Sequence, residues 1–390
     1  MTLPFPPMTA DPPASPDAER RALVALSLVP GVGTGRVRAL VAAMGSATAA
    51  LGAAPRRLAA VDGIGLATAA AIAAWDDEPA VERLFEAADR VGARAVALDD
   101  AEYPPLLRRS FDPPPLVWVR GRLAPADAEG VAVVGTRQAT DYGRRVAEHL
   151  AGGLARHGIT VVSGLAYGID AAAHAAALDA GGRTVAVLGS GVDRIYPAAH
   201  APLVRRLLDA DAGALVSEFP PGTPPDAKHF PRRNRIVAGM TLGTVVAESR
   251  SRGGALLTAA IALEEGREVF AAPAPLFSES TGTHRLIQRG YAALVTDADE
   301  IAEVLAPLRR HAPAASPGSP GSPAAPAPTL PADLVAVERR LMEALTTEPR
   351  PFDAVVEDAG LEAPTALVYL LQLEFRGLVR QLAGKQFFRV

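Results

Sequence analysis

The chain has 390 residues, with 39 Lys and Arg against 43 Asp and Glu, 49% apolar residues and no cysteine. This length calls for two or three domains, and the apolar content excludes a wholly disordered chain. The missing cysteine excludes disulfides, thiolate zinc sites and thiol nucleophiles and suits a reducing cytoplasm, while a net charge of −4 leaves any case for nucleic acid to local clustering.

The opening "MTLPFPPMTADPPASPDAER" lacks both the basic start and the apolar run of a secretory signal. Residues 1–18, rich in Pro, Ala and Asp, read as a disordered tail. No uncharged apolar stretch reaches the roughly 20 residues that span a bilayer, so a soluble cytoplasmic protein with no membrane partner is expected. Residues 19–88 have a helical pattern with a repeat: "VPGVGTGRV" (Val29 to Val37) and "VDGIGLATA" (Val61 to Ala69) align at an offset of 32 residues. Gly-apolar-Gly before a helix is the pattern of a helix-hairpin-helix domain of SAM-like type, whose turn points backbone N–H groups outward, where a phosphate can meet them. The same turns also suffice to close a helical bundle. Basic residues follow the first hairpin (Arg36, Arg38) but not the second.

From 95 to 308 short apolar runs alternate with helical stretches. "GVAVVG" (130–135), "ITVVSG" (159–164), "RTVAVLG" (183–189), "GALVSE" (213–218), "GTVVAE" (243–248) and "REVFAAP" (267–273) are uninterrupted enough for parallel strands covered on both faces. Between the first two, Val146, Leu150 and Leu154 fall at i, i+4, i+8, a helix with one buried stripe. The pattern predicts a doubly wound α/β domain, an extended Rossmann-like sheet.

In such a sheet ligands bind beyond the carboxyl ends of the strands. Those ends carry Arg137 in "GTRQATDYG"; Ser163, Gly164 and Tyr167 in "SGLAYGIDAAAH"; and Gly189, Ser190 and Gly191 in "GSGVDRIYP". The fourth strand leads into "KHFPRRNRI", where Lys228, Arg232, Arg233 and Arg235 surround Phe230 and Asn234. Small residues let N–H groups approach an anion, cations meet phosphates, and an aromatic face stacks on an unpaired base. A solvated charged loop with Phe230 in the core is the competing reading, and the position at the strand ends argues against it. Asp170 reads as a helix cap or an acceptor of local N–H groups. There is no G-x-G-x-x-G after the first strand and no G-x-x-x-x-G-K-[ST] anywhere. His174, His200, Asp170 and Asp193 lack the spacing of a helical metal site, so neither cofactor nor metal is expected.

Residues 309–333 form a linker, with seven prolines among Gly, Ser and Ala in 311–332. Residues 334–390 predict a winged helix: a helix, then two helices split at Gly360, then two strands turning at Ala383-Gly384. Its candidate recognition helix, "APTALVYLLQLEF", has no Lys or Arg, which equips it poorly for a major groove and better for a protein partner.

Together these blocks resemble the DNA-processing protein A family, also called Smf. "VVGTRQATDYG", "VVSGLAYGIDAAAH", "VAVLGSGVDRIYP", "SEFPPGTPPDAKHFPRRNRIVAG" and "RGGALLTAAIALEEGREVFAAP" stand in the family's order, preceded by "EYPPLLRRSFDPPPLVWVRG". The resemblance implies a homodimer that binds single-stranded DNA without sequence preference, protects incoming strands in natural transformation and loads the recombinase RecA, with no enzymatic activity. It places Arg137, Lys228 and Phe230 on DNA, with Arg233, Asn234 and Arg235 in the same block. Three departures stand out: Tyr167 where the family usually has Arg, Gly253-Gly254-Ala255 where it has Ser-Gly-Ser or Ser-Gly-Thr, and Ala274 after Pro273 where it has Gly. The alternative is a Rossmann-like nucleotide phosphoribohydrolase that uses a Gly-rich turn and Glu248.

Overall fold

The computed structural model describes residues 15–278, 280–309, 334–346, 350–376, 378–382 and 386–389. The tail before 15, the expected linker from 310 on and the Ala383-Gly384 turn lie outside the described residues.

The first helix, Pro16–Leu28, begins three residues before the helical pattern was expected, because the Ser15 side chain accepts a hydrogen bond from the Ala18 N–H and Pro16 fills the first turn. The two Gly-apolar-Gly segments fold alike. Gly31 and Gly63 take φ of 80° and 76°, a region that favours glycine. Gly33 and Gly65 cap the helices Thr34–Met44 and Leu66–Ala73, and the intervening Val32 and Ile64 are buried. This helical unit does not close a core of its own. Leu23, Leu26, Val37 and Leu40 share one apolar cluster with Trp118, Leu188 and Leu215 of the sheet, and Phe85 meets Trp118 edge-on at 5.6 Å.

The sheet has nine strands: β1 (Ala93–Ala97), β2 (Leu116–Gly121), β3 (Val131–Gly135), β4 (Val161–Ser163), β5 (Thr184–Val187), β6 (Gly213–Ser217), β7 (Gly243–Glu248), β8 (Glu268–Ala271) and β9 (Ala293–Leu294), in the order β1-β2-β6-β5-β4-β3-β7-β8-β9. The six apolar runs are β3 to β8, all parallel. The sequence reading lacked β1, β2 and β9. The first two extend the sheet antiparallel beyond β6, and a short apolar run carries no period that distinguishes an added strand from a loop. Helices Asp141–Arg156 and Ile169–Asp179 cover one face through Leu150, Leu154 and Ala173. Helices His229–Gly239 and Gly254–Glu264 cover the other through Ile236, Val237 and Ala259. The chain leaves β3 toward β4, β5 and β6, then returns to β7 on the other side of β3. The strand order therefore reverses between β3 and β7, where a ligand crevice is expected.

The C-terminal unit is a winged helix. Helices Ala336–Ala344, Phe352–Ala359 and Ala363–Phe375 pack Leu341, Val355 and Leu370 around Phe387, and Gly360 separates the last two at φ 57°. Its strands β10 (Arg350–Pro351), β11 (Val379–Leu382) and β12 (Gln386–Arg389) form a sheet of order β10-β12-β11. No helix among the described residues is long and apolar enough to cross a membrane.

Candidate nucleic-acid interface

A crevice of ≈ 400 Å³ opens at the β3/β7 switch point. Thr136 and Arg137 line it from the end of β3, Gly164 and Ala166 from the end of β4, and Phe230, Arg233 and Asn234 from the helix His229–Gly239. Gly253, Gly254, Ala255 and Thr258 close the far side. There the helix Gly254–Glu264 begins with no side chain capping it, so its positive end faces the crevice and favours an anion.

Arg137 and Phe230, 93 positions apart in sequence, meet at the mouth. The Arg137 guanidinium lies over the Phe230 ring, 4.5 Å from its centroid, a separation suited to cation–π attraction. Phe230 is neither a core residue nor free in solvent. It is half-buried and rests on Gly189, where an added Cβ would come within 3.1 Å of its Cδ1. That contact gives Gly189 a packing reason to be small.

The cation cluster divides. Lys228 is exposed. Arg232 is half-exposed, lies over the Phe219 ring at 5.2 Å, and pairs with Glu218 at 3.1 Å. Arg235 is largely buried between Glu218, at 2.6 Å, and Asp112, at 3.3 Å. Asp112 also pairs with Arg38 of the first hairpin, so this chain of charges ties the helical unit to the basic helix. Arg233 is only 4% exposed and donates from Nη1 to the Val187 carbonyl at 2.7 Å. Its guanidinium occupies the space over Gly164, where any Cβ would overlap it. Burial lowers the Arg233 pKa, and the facing Asp170 opposes that shift. Burial likewise raises the Asp170 carboxyl, against the Arg233 charge and the N–H donors of Ala166 and Gly164. Asp170 thus fills the local N–H-binding role expected of it.

The remaining expected site residues are placed unequally. Ser163 is buried and donates to the Val133 carbonyl; Ser190 is buried and donates to the Arg194 carbonyl at 2.6 Å. Gly191 lies against Asp193 and the Pro220 carbonyl. These residues shape the turns and do not line the crevice. Tyr167 is 49% exposed, packs edge-on against His200 at 5.1 Å, and shares an adjoining open groove with Arg137. Buried His174 binds Thr184 at 2.6 Å; burial, then the Arg233 charge, depresses its pKa to about 3, so it stays neutral. Among the described residues no group of His, Cys, Asp or Glu could hold a metal ion.

Two residues take parts that the sequence did not reveal. Glu248 is buried and accepts hydrogen bonds from the Thr140 N–H (2.9 Å), the Thr140 hydroxyl (2.8 Å) and the Ser280 hydroxyl (3.1 Å). It braces the start of helix Asp141–Arg156 and does not line the crevice. Tyr196, in "GSGVDRIYP", is 45% exposed with its ring centroid 6.1 Å from that of Phe230. Only a Tyr following a glycine turn marked it in the sequence, and that says nothing about which way a ring faces.

The sequence model of the DNA recombination-mediator protein A family matches residues 94–306, and that of the DprA winged helix domain matches residues 324–385. The chain is 42% identical over 290 residues to Protein Smf of Escherichia coli, covering 74% of this chain and 75% of that one. It is 43% identical over 209 residues to the DNA processing protein DprA of Streptococcus pneumoniae, covering 53% and 72%. The crystal structure of DNA processing protein A from Streptococcus pneumoniae superposes with a TM-score of 0.64 at 33% identity, over 73% of this chain and 97% of that chain.

Proposed function

Because the chain belongs to the DNA recombination-mediator protein A family, we propose that it binds single-stranded DNA without sequence preference along the carboxyl edge of its parallel sheet. The observation that carries this reading is the Arg137 guanidinium over the Phe230 ring at the crevice mouth, with Lys228 exposed on the same helix terminus. Cations that neutralise phosphates give affinity without sequence information. An aromatic ring accepts any base by stacking, and a base can reach such a ring only when it is unpaired. Arg137 and Lys228 contact phosphates and Phe230 contacts a base. Arg233 and Arg235 are engaged within the fold, on the Val187 carbonyl and between Glu218 and Asp112.

On this reading the protein works in the cytoplasm as a homodimer. It protects incoming strands in natural transformation and hands them to the recombinase RecA. Those finer points rest on the family resemblance and not on the crevice. The winged helix is a protein-contact module. The protein is not an enzyme and needs no cofactor. The phosphoribohydrolase alternative loses its acid, since Glu248 is sequestered by Thr140 and Ser280.

Electrophoretic titration with single- and double-stranded oligonucleotides of several sequences tests the proposal. Preference for single strands, equal across sequences, is expected, and tighter binding to duplex would sink it. Incubation with nucleoside monophosphates is expected to release no free base.

A further inference from the structure

Tyr196 is exposed in a manner that packing does not explain. The buried Tyr103 and the half-buried Tyr142 each donate their hydroxyl to a carbonyl at 2.7 Å. The Tyr196 hydroxyl has no such partner among the described residues, and the residue is 45% exposed. The turn that carries it is nonetheless firmly built. The Ser190 hydroxyl donates to the Arg194 carbonyl at 2.6 Å, the Arg194 N–H donates to the Gly191 carbonyl at 2.9 Å, and Pro197 is buried. A rigid aromatic ring held at a surface offers contact area at little entropic cost to a ligand.

We infer that Tyr196 is a second base-stacking residue, so that the groove takes at least two consecutive unpaired bases, one at the Arg137–Phe230 pair and the next on Tyr196. The inference rests on the single-strand reading above. The two ring centroids lie 6.1 Å apart with planes inclined by 38°. A base stacks on a ring only when it is unpaired, so a strand that reaches both rings is single-stranded there. A phosphate partner is at hand: Arg194 has a side chain 61% exposed and, among the described residues, pairs with Asp193 at 3.5 Å. Asp193 is itself engaged by the Gly222 N–H at 2.8 Å, which leaves the guanidinium the more accessible charge.

The full chain carrying Tyr196→Ala, Tyr196→Phe or Phe230→Ala is titrated with thymidine oligonucleotides over a salt series. Losing one stacked base weakens binding roughly five- to 150-fold. Tyr196→Ala is expected to fall in that range with an unchanged salt slope, and Tyr196→Phe to bind like the parent. If Phe230→Ala weakens binding while Tyr196→Ala stays within about twofold of the parent, Tyr196 is no base platform and the wider reading of the site survives. If neither substitution weakens binding, that wider reading falls as well. Should Tyr196→Ala fail to fold, photo-crosslinking of the unaltered chain to a 5-iodouracil-substituted strand decides. An adduct on Tyr196 supports the inference, and adducts confined to other residues overturn it.

Discussion

Two helices invite opposite readings from their charge alone. His229–Gly239, with the Lys228 that precedes it, concentrates cations around a phenylalanine; Ala363–Phe375 of the winged helix has none. In the fold the basic helix keeps only part of its charge for solvent. Arg233 is buried on the Val187 carbonyl, Arg235 is held between Glu218 and Asp112, and Arg232 shares Glu218. The helix without cations instead exposes Leu367, Val368 and Leu371, each about half-exposed. A count of charges therefore measures neither free cation nor binding surface. What matters is which charges already have partners: Lys228 has no ion-pair partner among the described residues and is joined by Arg137, from the loop after β3.

Breaking the buried part of the cluster should have the largest effect. Arg233→Ala leaves Asp170 without its facing charge and is expected to cost roughly 3–5 kcal/mol of stability, read by denaturant unfolding, with DNA affinity of the folded fraction retained. Lost affinity at unchanged stability would return Arg233 to the binding surface.

Phe230→Ala should cost roughly 1–3 kcal/mol in single-strand binding. Because the ring is half-buried and capped by Arg137, melting should change less than binding does. A large drop in melting temperature with intact affinity would make Phe230 a packing residue.

Lys228→Ala should lower the salt slope of binding by roughly 0.7, and Arg235→Ala by clearly less, since Glu218 and Asp112 already hold that guanidinium. Equal slope changes would erase the distinction between free and engaged cations.

The smallest effect is expected in the winged helix. Leu371→Lys should alter neither stability nor single-strand affinity by more than about 0.5 kcal/mol, as expected of an exposed residue on a helix without cations. A clear gain or loss of single-strand affinity would make this helix a second DNA surface.

The sequence determined the parallel strands, the twin glycine turns and the small residues at the strand ends, because each is written in local terms. Uninterrupted Val and Ala runs demand burial on both faces, and Gly31 and Gly63 supply the φ values their turns need. It also marked Arg137 and Phe230 separately. Only the tertiary structure decided that they touch, that Arg233 lies buried over Gly164, that Glu248 braces Thr140, and that Tyr196 faces outward. The antiparallel β1 and β2, and the merging of the helical unit with the sheet core through Trp118, were likewise settled by packing. Local pattern fixes what a segment can form. The partner of a given charge or ring depends on elements distant in the chain, and those are brought together only when the sheet assembles around its switch point.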